Sequence, residues 1–281
     1  MNSFGESPDS LVVTARLALL DALEALGDHR DSIIVIGAQA VYLHTGALTD
    51  VALAEMTTDG DLAVDPRELS NEPLIENAMR SAGFMPSLAD SPGTWISPAG
   101  IPVDLMVPSL LAGNGRRGVR LPPHGDKSMR KTRGIEATLV DFDYQLIHSL
   151  HASDTRSFSV KVAGPAGLLV AKLHKIADRE NHDSRLDDKD AHDIYRLLRA
   201  VPTSELVQKF KNLFIDELAK QVSFEALELL DRLFAQGPQS LGSVMAGRAE
   251  TLVGNPAQVA LASSILAEVV VRELKEHMSL S

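Results

Sequence analysis

The hydrophobic period of this chain changes once, and that change limits what it can build. Up to about residue 160 the apolar runs are short, rich in β-branched residues and closed by Gly, Pro or Asp: "SIIVIG" (32–37), "DGDLAVD" (59–65), "IPVDLMVP" (101–108), "IEATLV" (135–140) and "FSVKVAG" (158–164). Such runs read as strands. Between them lie helical patterns at "SLVVTARLALLDALEAL" (10–26) and "AQAVYLHTG" (38–46), the second stopped by Gly46. Asp65-Pro66-Arg67-Glu68 reads as a helix cap, opening a helix that runs to about Ala82. From Pro165 onward only a period of about 3.6 residues is found. It runs through "PAGLLVAKLHKIADRE", "DKDAHDIYRLLRA", "SELVQKFKNLFIDELAKQ", "SFEALELLDRLFAQ" and "PAQVALASSILAEVVVRELKEHM". The expected fold class is α/β (α+β): a mixed sheet with flanking helices over 1–158, then a helical C-terminal domain over 159–281.

With no cysteine, disulfides, thiolate metal sites and a cysteine nucleophile are excluded. No apolar run reaches the roughly 18 residues of a membrane span, and the first ten residues lack the basic and apolar regions of a secretory signal. A cytoplasmic location and no membrane partner are expected. A net charge of −11 argues against nucleic acid as a partner. The charge is uneven, however. Arg116, Arg117, Arg120, Lys127, Arg130, Lys131 and Arg133 crowd into one segment with a single acid, Asp126. This Gly- and Pro-containing stretch, 112–134, reads as a mobile basic loop. Arg130, Lys131 and Arg133 are its candidates for binding an RNA backbone.

Alternation along a strand places Asp59, Asp61 and Ala63 on one face and Gly60, Leu62 and Val64 on the other. In 101–108, Ile101, Val103, Leu105 and Val107 share a face, and Asp104 points opposite. Should the two strands pair, Asp104 joins Asp59 and Asp61. Three carboxylates repel unless a cation sits among them, and hard oxygen donors suit Mg²⁺ or Mn²⁺. Lys172, Lys175 and Arg179, at i, i+3 and i+7, share one helical face, and by pattern alone form a solvated basic stripe. Asp190 and Asp193 share a face of the next helix, suited either to a structural salt bridge or to catalysis. The His-Asp pairs at 182–183 and 192–193 also fit a metal-dependent phosphohydrolase, but that reading leaves Asp59, Asp61 and Asp104 unused.

"VIGAQAVYLHTG", "TTDGDLAV", "VDLMV", then "AKLHKIADR" (171–179) and "KDAHDIY" (189–195), resemble in order the motifs of the nucleotidyltransferase superfold. The closer resemblance is to the AbiEii family of bacterial nucleotidyltransferase toxins, which includes the mycobacterial MenT toxins. The motifs span roughly 33 to 195, and the phosphate turn reads Gly37-Ala38 where the family usually has two glycines or Gly-Ser. The resemblance implies transfer of a nucleoside monophosphate from a nucleoside triphosphate to an acceptor hydroxyl, with pyrophosphate released. It implies Asp59, Asp61 and Asp104 as metal ligands and catalytic residues, joined by Lys172, Asp190 and Asp193. It assigns Gly37, Ala38, Thr58, Lys172 and Arg179 to the nucleotide. It further implies an RNA acceptor such as the tRNA 3′ end, and a toxin role opposed by an antitoxin protein. A small-molecule or protein hydroxyl as acceptor, and a catalytically silent nucleotide-binding module, are the alternatives.

Overall fold

The computed structural model describes residues 8–46, 59–89, 91–114, 117–180, 187–251 and 253–279. Thr57, Thr58, Arg116, His182 and Asp183, all named above, lie outside the described residues. The chain divides into two compact units. One comprises Met1–Gln39, Met56–Thr132 and Phe142–Ala163; the other comprises Ala40–Glu55, Arg133–Asp141 and Gly164–Ser281. The chain passes into the second unit for the last time at Gly164, and two earlier segments, Ala40–Glu55 and Arg133–Asp141, are grouped with the helices. A mixed sheet with flanking helices is followed by an all-helical C-terminal region.

The first unit is built on one sheet. Its strands are β1 (Ile33–Ile36), β2 (Gly60–Val64), β3 (Met85–Pro86), β4 (Thr94–Ile96), β5 (Pro102–Pro108), β6 (Arg130–Thr132), β7 (Phe142–His148) and β8 (Ser157–Ala163). The order is β3-β4-β5-β2-β1-β8-β7, with β6 also paired to β5. β1 lies antiparallel to β2 and parallel to β8, and β2 lies parallel to β5. One edge of β5 is shared: its first half pairs antiparallel with β4 and its second half parallel with β6. Helix α1 (Pro8–Ala25) covers the apolar face of β2 and β5. Gly60 lies so close to it that an added Cβ would sit 3.7 Å from Leu19. Leu19, Leu62, Val103 and Leu105 are all fully buried there. Arg156, just before β8, ties that strand to α1 through Asp21 and Glu24, both at 2.8 Å.

Several expected elements differ. The helix expected over 65–82 is reduced to α3 (Ile75–Ser81). Asp65 does cap a turn, but Oδ1 accepts from Arg67's own N–H and Nε, and Oδ2 from its Nη2 at 2.7 Å. That two-residue loop satisfies the carboxylate locally, and Pro73 blocks helix further on. "IEATLV" is not a strand but a 3-10 turn, Ile135–Leu139. Gly134 enters it at φ 88°, Glu136 accepts from the Gly134 N–H, and Thr138 Oγ1 bonds back to Ile135 O. The basic stretch 112–134 was expected as a loop throughout; Arg130–Thr132 instead form β6.

In the second unit α2 (Gly37–Thr45), which starts in the first, is joined by α4 (Pro165–Arg179), α5 (Asp188–Ala200), α6 (Thr203–Ile215), α7 (Lys220–Leu230), α8 (Leu241–Ala249) and α9 (Pro256–Ser279). The single helix expected over 204–221 is two, because Asp216 leaves helical geometry and its Oδ1 accepts from Leu218 and Ala219 N–H. α4 packs on α5 and α7, and α8 on α5 and α9.

A histidine pair anchors the chain ahead of α3. His124 Nδ1 accepts from Ile75 N–H at 3.3 Å, and its Nε2 donates to Ser70 O at 3.0 Å. His29 Nε2 donates to Pro73 O at 2.7 Å, edge-on to the His124 ring. Burial pushes His124 below its ordinary value of 6.5. The fold therefore prefers the neutral ring, because a proton on Nδ1 would also remove the Ile75 bond. Below about pH 6.5 the unfolded chain takes the proton more readily than the folded one, so this contribution is full above that pH and is lost as pH falls. Melting temperature measured from pH 7 to 5 should fall less steeply in His124→Gln than in wild type.

Candidate active site

The polar face of the sheet carries the carboxylates. Asp61 on β2 and Asp104 on β5 are register partners, and Thr94 on β4 is the partner of Asp104 on the other side. The three side chains therefore form one row across neighbouring strands. Both expected alternations hold, because α1 takes the Leu62, Val103 and Leu105 face and leaves the aspartates on the opposite one. Thr94 Oγ1 donates to Asp104 Oδ1 at 2.6 Å. Arg130 Nη2 lies 2.7 Å from Asp104 Oδ2 and 3.2 Å from the sulfur of Met106. Arg130 reaches this row because it is in register with Met106, two residues past Asp104 on the same face. Asp59 precedes β2 and is half-buried.

Gly37 stands against this row. Ile36 is the register partner of Asp61, so the next residue turns over the Asp61 carboxylate. A Cβ on Gly37 would sit 2.0 Å from Asp61 Oδ2, and the backbone there has φ 69°. Both facts require glycine. The space that a phosphate turn would keep open for nucleotide is, at the Cβ position, taken up by Asp61. Ala38 is buried.

The second motif pair forms a buried network within the helical unit. Lys172 on α4 is 5% exposed. Its Nζ lies 2.7 Å from Asp190 Oδ1 and 2.7 Å from Asp193 Oδ2, both on α5. Asp190 also meets Lys175 at 2.9 Å and Arg179 at 3.5 Å. The expectation of a solvated stripe fails at Lys172 and is kept in part by the half-exposed Lys175 and Arg179. Burial opposes the Lys172 charge, but the two carboxylates outweigh it and hold the amine well above its ordinary range. Burial likewise opposes ionisation of Asp190, and Lys172 and Lys175 overcome it, holding the carboxyl well below its usual range. Further along α5, buried Arg196 donates to Thr45 Oγ1 and O at 3.1 Å, and His192 lies 3.0 Å from Glu250.

The three cations expected to meet RNA lie in different surroundings. Arg130 is turned onto Asp104. Arg133 Nη2 donates to both Glu225 oxygens at 2.6 Å. Lys131 is half-buried in β6, its N–H donating to Arg117 O. Two of the three thus carry acidic partners from within the protein. Sequence reasoning missed Thr94 and the inward role of Arg130.

Among the described residues no group of three His, Asp or Glu side chains is placed to hold a metal ion. The in-register pair Asp61 and Asp104 fits a hard divalent cation by donor chemistry and supplies two charges. Both oxygens of Asp104 already have protein partners, Thr94 and Arg130.

No family model matches the chain, and no curated protein matches it. Among solved structures, a protein from H. pylori that carries a provisional nucleotidyltransferase designation aligns over 96% of this chain and 98% of its own, at 10% identity and a TM-score of 0.29. A score that low defines no shared fold. Among the described residues no helix is long and apolar enough to cross a membrane.

Proposed function

We propose that the protein is a nucleotidyltransferase using Mg²⁺ or Mn²⁺. The observation that supports this reading best is the register pairing of Asp61 with Asp104 on adjacent parallel strands. Asp61 and Asp104 would hold the cation; Asp59, the third ligand the resemblance implies, is not brought into a metal-holding group with them among the described residues. When bound, the cation supplies charge neutralisation of the triphosphate and acidifies the attacking hydroxyl. In the reaction an acceptor oxygen bonds to the α-phosphorus, the bond to the β-phosphate bridging oxygen breaks, pyrophosphate leaves and the hydroxyl proton passes to solvent or a carboxylate. The assignment of Thr58, Ala38, Lys172 and Arg179 to the nucleotide rests on the sequence resemblance, as do the RNA acceptor and a toxin role with an antitoxin partner.

Labelled nucleoside triphosphates incubated with the protein, Mg²⁺ and total cellular RNA test the reading. Label in RNA that disappears without metal, and in an Asp61→Asn control, is the expected result. Label in small molecules or in protein would move the acceptor to those classes. A second reading, a silent nucleotide-binding module, draws support from the engagement of Asp104 and Lys172 by partners within the protein. Nucleotide binding without metal-dependent turnover would select it.

A further inference from the structure

Arg130 occupies the charge position that a divalent cation needs. Its guanidinium lies 2.7 Å from Asp104 Oδ2, while Thr94 takes Oδ1, so the second carboxylate of the pair is neutralised from within the sheet. The arrangement is held by backbone: β6 is registered on β5, with Arg130 opposite Met106. The Arg130 side chain is 35% exposed against 15% for Asp104, so the arginine can leave without unpacking the strand below it. A cation bound between Asp61 and Asp104 and an arginine on Asp104 repel one another and compete for the same oxygen.

We propose that Arg130 is an internal counter-ion that competes with the divalent cation for Asp104, so that loading the site requires the arginine to swing away. The proposal rests on the cation site of the preceding section. It also gives a local meaning to a residue of the basic segment: the Arg130 charge is directed at the acidic row and not at an external polyanion.

Mn²⁺ binding, followed by loss of the free-ion electron paramagnetic resonance signal at low salt, tests it without reference to turnover. The specific component is the part removed by the Asp61→Asn, Asp104→Asn double variant. Arg130→Gln is expected to bind Mn²⁺ about tenfold tighter than wild type, or more, whereas Arg130→Lys, which keeps the charge, should stay within a few fold of wild type. Equal affinity in wild type and Arg130→Gln overturns the proposal and leaves the cation site standing. Absence of any carboxylate-dependent binding in both proteins overturns the proposal and removes the cation from the proposed function as well. A second measurement covers an Arg130→Gln protein that fails to fold. Titrating wild type with Mg²⁺ should shift the Arg130 Nε–Hε resonance, assigned through Arg130→Lys, toward a free guanidinium. A resonance that stays fixed while Mg²⁺ binds overturns the proposal.

Discussion

Lys172→Met should lower folding stability by about 3–5 kcal/mol at neutral pH, read from chemical denaturation midpoints. The loss does not come from the lysine's own packing, because methionine fills a similar volume. It comes from Asp190 and Asp193, buried carboxylates whose charge Lys172 meets at 2.7 Å in each case. Asp190 keeps Lys175 and Arg179 as partners, so the larger share falls on Asp193. Adding Asp193→Asn to Lys172→Met should therefore recover part of the stability. The two titrations bracket the pH range over which the network holds. Lys172, raised in the fold, contributes fully below its ordinary value of 10.5, and that contribution is lost only as pH climbs through the higher folded value. Asp190, lowered in the fold, contributes fully above 3.8, and its share is lost as pH falls toward the lower folded value. Between these limits the network should be insensitive to pH. The same variant bears on function: a lysine whose role is to touch phosphate would lose nucleotide transfer with an unchanged midpoint. A large fall in the midpoint makes loss of transfer in that variant uninformative about phosphate contact.

Much of the sheet and its acidic row was legible because β2 and β5 each have one apolar face. Alternation in "DGDLAVD" and "IPVDLMVP" fixes which residues α1 covers, and therefore where Asp61 and Asp104 must point. The helices α4, α5 and α9 were legible for the same reason, at the helical period. The neighbours of Asp104 were not. β4 and β6 have three residues each, too few for any period to declare itself, and Arg130-Lys131-Thr132 are all half-buried. Their strand state comes from hydrogen bonds offered by the two halves of one β5 edge, which is tertiary information. β7 alternates in sequence from Phe142 to Leu146 and was legible by that rule, but as an edge strand it leaves the apolar Tyr144 and Leu146 exposed instead of buried. Lys172 is the sharpest case. Spacing put it on a basic stripe, and stripes are usually solvated. A salt bridge from Asp190 and Asp193 was one of the two readings of their shared face, but its burial was not legible: only the packing of α5 on α4 turns a surface charge into a buried one.

Gly37→Ala should destabilise the protein by about 2–5 kcal/mol, made of two separable parts. The first is conformational: a residue with a Cβ held at φ 69° costs about 1–3 kcal/mol. The second is steric and specific. The new Cβ would lie 2.0 Å from Asp61 Oδ2 and 2.7 Å from its Cγ, so the carboxylate must be displaced from the row it shares with Asp104. Placing Gly37→Ala in an Asp61→Ala background isolates that second part. The carboxylate is gone, but the Asp61 Cβ, itself 2.7 Å from the new atom, remains, so relief is partial. The cycle should show a favourable coupling of about 1 kcal/mol or more, with the conformational cost left over. If the two substitutions instead add independently, Asp61 does not fill the space at Gly37, and the turn regains the role the sequence first suggested for it, a backbone left open for a phosphate.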